Sequence, residues 1–80
     1  MLSKIGIEDL KVFMRKYAPS FIEENPAGIT IRFSAVQHPG RAYTIAGELQ
    51  EYLQERGVEA NATPEIRGVY VPALNVSSRN

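Results

Sequence analysis

YAPSFIEENPAGITIRFSAV, residues 17–36, carries the chain from an apolar helical pattern into its clearest strand, and how this stretch is divided decides the fold. Pro19 ends the helix, because the residue before a proline is biased out of the helical region. Ser20-Phe21-Ile22-Glu23 has the spacing of a capping box and predicts one further short turn. Asn25-Pro26-Ala27-Gly28 reads as a break. From residue 29 the chain alternates. Ile29, Ile31, Phe33 and Ala35 share one side, and Thr30, Arg32, Ser34 and Val36 share the other. One dry face and one mixed face predict a sheet covered by helices on one side only.

Upstream, Ile7, Leu10, Met14, Tyr17 and Phe21 recur at three- and four-residue steps, with Phe13 beside them. Glu8 and Asp9 open this helix, while Arg15 and Lys16 close it, which suits the helix dipole at both ends. Downstream, His38-Pro39-Gly40-Arg41 predicts a type II turn, with proline and glycine at its centre. Residues 42–56 then form the strongest helix, with Ala42, Ile45, Ala46, Leu49, Tyr52 and Leu53 as its apolar stripe. Gly57 is placed to cap it. Gly47 inside that helix costs about 1 kcal/mol relative to alanine, and a close packing contact is expected to compensate.

Residues 58–63 and 68–76 read as two strands joined by a hairpin over Thr63 to Gly68. Pro72 cannot donate to a ladder, so the last strand is expected at a sheet edge or with a bulge. Residues 77–80 read as a polar tail. The sequence shows no internal repeat. The order is then helix, strand, helix, strand, strand. A strand–helix–strand unit is usually a parallel crossover. The expected fold is therefore an α+β two-layer sandwich over residues 1–76, with a three-stranded mixed sheet and two helices on one face. That element order resembles the small sulfur-carrier domains of the TusA/SirA type. Those carry a Cys-Pro pair at the start of their first helix. This chain contains no cysteine, so the resemblance implies a topology and no sulfur chemistry.

Composition narrows the chemistry. The chain has 80 residues, 44% hydrophobic and 22% charged, the profile of one folded domain. Absence of cysteine excludes disulfides, thiolate catalysis and thiolate-held metals. No apolar run resembles a signal-peptide core or a membrane span, so the expected setting is the cytoplasm. Net charge is zero, but residues 1–22 carry a surplus of two positive charges and residues 48–65 a surplus of four negative ones. No whole-molecule field draws the protein to nucleic acid, and electrostatic recognition must come from a local face.

The single histidine leaves no pair for a histidine-rich metal site, and neither Ser34 nor Thr44 has triad spacing around it. No enzyme, cofactor or metal is expected. Three kinds of site remain. Gln37, His38 and Arg41 lie where a strand ends and a helix begins, a place that suits anions. Glu48, Glu51 and Glu55 form an acidic helix face, and Tyr70 with Pro72 mark the expected edge strand; together these suit a protein partner or a second copy of the chain. Lys4, Lys11, Arg15, Arg32 and Arg67 are the cations available to phosphates. The leading expectation is a small non-enzymatic protein-binding module, an inhibitor or adaptor of the sort a phage directs at a host complex. A nucleic-acid-binding domain and an anion or small-ligand site at the His38 turn are the alternatives.

Overall fold

A computed structural model describes residues 6–78 and, within them, every side chain except those of Ala35 and Val36. Lys4 lies outside the described residues, as do the faces expected for Ala35 and Val36. Helix α1 (Ile7–Met14) runs into a 3-10 turn at Arg15–Tyr17, and strands β1 (Pro19–Asn25) and β2 (Gly28–Gln37) follow. Helix α2 (Pro39–Glu55) leads to strands β3 (Ala60–Arg67) and β4 (Tyr70–Ser78).

The sheet has four strands in the order β1-β2-β4-β3, and every neighbouring pair is antiparallel. This corrects the three-stranded mixed sheet expected from the sequence. The first error is at residues 19–25. Ala18 takes a left-handed conformation (φ 53°), which turns the chain out of the 3-10 turn and straight into β1. Asn25 then closes a two-residue hairpin. Its Oδ1 accepts from the N–H of Ala27 at 3.1 Å, and its Nδ2 donates to Thr30 Oγ1 at 3.0 Å. The supposed capping box and break are thus a strand and a turn. The resemblance to the sulfur-carrier topology lapses with them.

The second error concerns the crossover. Strands β2 and β3 point the same way but are not neighbours, because β4 inserts between them. Pro72 therefore lies in a central strand. It is tolerated because both ladders break around it. The β2–β4 register slips between Arg32↔Ala73 and Gln37↔Val71, and the β3–β4 register between Glu65↔Ala73 and Arg67↔Tyr70. Strand β4 runs on through Ser77 and Ser78, which pair with Asn61 and Ala60.

Both helices pack on one face of the sheet. Ile29, Ile31 and Phe33 of β2, with Leu74 and Val76 of β4, meet Leu10, Met14 and Tyr17 from the first helical segment. Ile45, Ala46, Leu49, Tyr52 and Leu53 of α2 complete the cluster, each large aliphatic side chain contributing ~1.5–3 kcal/mol by leaving water. Helix α2 ends in a Schellman motif. Val58 N–H donates to Leu53 O and Gly57 N–H to Gln54 O, both at 3.0 Å, with Gly57 at φ 74°. The opposite face, carrying Thr30, Arg32, Ser34 and Asn75, has no helix layer.

Two positions test this packing. At Gly28, with φ 146°, an added Cβ would lie 2.0 Å from the carbonyl oxygen of Val76 in the neighbouring strand. Gly28→Ala is expected to cost about 3 kcal/mol or more, read from the midpoint of urea unfolding. Tyr17 is only 7% exposed, and its hydroxyl is buried without a hydrogen-bond partner among the described residues. Tyr17→Phe is expected to raise stability by about 1 kcal/mol, a gain of ~4–8 °C in Tm by calorimetry.

Candidate functional site

Open sheets end in two edges, and unpaired edge groups invite another chain unless something blocks them. Here the two edges differ. On β3, the outward N–H of Ala62 donates to the side-chain Oε1 of Gln50 on α2 at 3.1 Å. Backbone groups along a strand alternate in direction, so the next outward position is Pro64, which has no N–H to offer. One helix side chain and one proline thus remove two of this edge's outward donors.

Among the described residues, strand β1 has no such cover. Its hairpin register pairs Phe21 with Arg32, Glu23 with Thr30 and Asn25 with Gly28. By the same alternation, Ile22 and Glu24 turn their N–H and C=O groups away from β2. No strand pairs with that side among the described residues. Phe21 is 49% exposed on the helix-free face of the sheet. Ile22 tucks partly under the helices. A groove of about 310 Å³ lies along the same edge, lined by Lys11 of α1 and by Pro19, Ser20, Phe21 and Ile22. Ser20 is the extra residue where the register slips, and its hydroxyl donates to Arg32 O at 3.3 Å. The regular, open part of the edge is thus Phe21 to Asn25.

The residues singled out in the sequence fall elsewhere. His38 is the N-cap of α2, its Nδ1 accepting from Gly40 N–H at 3.2 Å, and Pro39 takes the first helical position. Gly40 is helical, so the expected type II turn is not formed. Gln37 ends β2 opposite Val71, and the Arg41 guanidinium lies over the Tyr17 ring at 5.7 Å. The cap thus occupies one donor of the helix terminus, and Arg41 turns toward the 3-10 turn that follows α1. Glu48, Glu51 and Glu55 are exposed on α2. Tyr70 is 45% exposed at the β3–β4 hairpin, opposite Arg67.

The cations proposed for phosphates do not gather. Lys11 reaches Glu8 at 3.5 Å, and Arg67 pairs with Glu65 at 3.0 Å. Arg15 is exposed at the end of α1, while Arg32 lies on the other side of the sheet. Among the described residues, no three His, Asp or Glu side chains cluster as metal ligands would. No helix is long and apolar enough to cross a membrane. The β1 edge escaped the sequence reading, although the four-residue Asn25–Gly28 turn between two apolar segments carries a hairpin signal.

Comparison with protein-family models, with curated proteins and with solved structures finds no match.

A second groove, about 390 Å³, lies between α2 and β3 and is lined by Tyr43, Ala46, Gly47, Gln50, Glu51, Gln54 and Ala62. Gly47 faces open space, with nothing within 4 Å of an added Cβ. The close contact expected to justify this glycine is absent. Gly47→Ala is therefore expected to stabilise the fold by about 1 kcal/mol in thermal unfolding.

Proposed function

We propose that this protein is a small, non-enzymatic, cytoplasmic binding module that accepts an extended segment of another protein along the free edge of β1. The observation that carries this reading is the asymmetry of the sheet: on one edge Gln50 and Pro64 remove two outward donors, and among the described residues nothing does so on the other. In strand addition, main-chain hydrogen bonds supply affinity and alternate side chains supply selectivity. Ile22 and Glu24 offer the main-chain groups. Phe21 offers an aromatic surface, and the groove that it lines with Lys11 and Ile22 offers a second contact.

Charge favours a particular occupant. Glu23 and Glu24 make the regular part of the edge acidic, so a segment alternating apolar and basic residues complements it. A second copy of β1 would bring its own acidic pair to the same place. The acidic stripe of α2 is a separate surface. Helix α1 stands between, its Phe13 stacked on Tyr52 of α2 and its Lys11 beside β1.

A displayed library of extended peptides tests the reading. Selected peptides are expected to share alternating apolar and basic residues and to shift the amide resonances of residues 21–25. Glu24→Pro removes an outward N–H without touching the β1–β2 ladder. That change and Phe21→Ser are each expected to weaken binding about tenfold, the equivalent of roughly one hydrogen bond or ring contact. Peptides that bind both variants as tightly as the parent would sink the proposal. Light scattering on the free protein showing a β1-dependent dimer would replace the peptide with a second copy.

A further inference from the structure

The seam between the two helices carries a different arrangement, independent of the β1 edge. Three aromatic rings form a continuous row across it. Phe13 stacks on Tyr52 with centroids 4.1 Å apart and meets Tyr17 edge-on at 6.2 Å. Three cations sit on this row. The Arg56 guanidinium lies 3.8 Å from the Tyr52 centroid, and Arg41 lies 5.7 Å from that of Tyr17. The Lys16 ammonium lies 5.0 Å from Phe13 and 5.2 Å from Tyr17. None of the three pairs with a carboxylate among the described residues, in contrast to Lys11 and Arg67. All three are exposed.

We propose that Lys16, Arg41 and Arg56 form a binding surface for the phosphate backbone of nucleic acid. A cation resting on a ring face uses the ring's quadrupole and keeps its N–H donors for another partner. Arg56 directs one of these, Nη1, to Tyr52 O at 3.5 Å. The rings also restrict the cations before any ligand arrives, so less side-chain freedom is lost on binding. Linked through Tyr52, Phe13 and Tyr17, the Arg56 and Arg41 guanidinium carbons stand at most about 20 Å apart, with Lys16 between them. A row of that length suits an extended, regularly charged chain better than one small anion. Tyr17 and Tyr52 are buried beneath their cations, so no base stacks on them and no sequence is read. The acidic residues set the limits of the surface. Glu48 and Glu55 lie one helical turn before and after Tyr52, so both carboxylates border the row.

Fluorescence anisotropy with labelled 20-nucleotide single- and double-stranded DNA of arbitrary sequence tests this. Binding is expected at low salt, with log affinity falling against log salt at a slope of about −2 to −3, the value for three phosphate contacts. Lys16→Gln, Arg41→Gln and Arg56→Gln are each expected to reduce that slope by about 1. Glu48→Gln is expected to tighten binding several-fold, an effect that loss of folding cannot mimic. Arg32→Gln, on the opposite side of the sheet, should change nothing. The proposal is overturned by no binding at low salt, by equal weakening in Arg32→Gln, or by no gain in Glu48→Gln. Polyglutamate competing as well as DNA would also overturn it, in favour of an acidic protein.

Discussion

The insertion of β4 between β2 and β3 is the constraint on which the rest of the molecule depends. A central strand must satisfy its backbone on both sides and bury side chains above and below, and β4 does both. Val71, Ala73, Leu74 and Val76 are buried. Its insertion makes every pairing antiparallel, leaves β1 and β3 as the edges, and draws α2 across the sheet from β2 to the far strand. The close approach of Gly28 to the Val76 carbonyl is part of the same joint, since it lets the start of β2 lie hard against β4.

Two prolines show how an edge is recognised. Pro72 suggested an edge or a bulge from sequence; it lies in the central strand, where both ladders are interrupted, so the bulge is the alternative that holds. Pro64 attracted no such reading, and it lies on the real edge with its missing N–H directed outward. A proline states that one backbone donor is absent. Only the tertiary arrangement states which side of the strand lacks it.

The apolar stripe of α2 was fully legible: all six positions from Ala42 to Leu53 are buried, and Gly57 caps the helix as its place suggested. Strand β1 was not legible, because only Ile22 at its centre faces the core, while Phe21, Glu23 and Glu24 face water. A strand with so little to bury leaves almost no alternation to detect, and Ser20 with Glu23 imitates a helix cap. The candidate sites were legible only as inventory. His38 and Arg41 stood out as residues, but the cap on Gly40 and the ring beneath the guanidinium depend on contacts with neighbours. Gln50 carried no signal at all, since covering an outward donor of the β3 edge is a property of the pair it makes with Ala62.

The ladder between β2 and β4 divides the molecule into two halves of like construction. Each half is a helix followed by a hairpin, α1-β1-β2 and α2-β3-β4, although the sequence shows no repeat. Within each half the strand pairs are close in sequence and can form early. The ladder from Ile29–Arg32 to Ala73–Val76 spans more than half the chain and must await loop closure through α2. The two halves are thus joined by one short junction, four consecutive residue pairs with Gln37↔Val71 beyond the register slip. That same junction is where two chains, by trading halves, would become entangled.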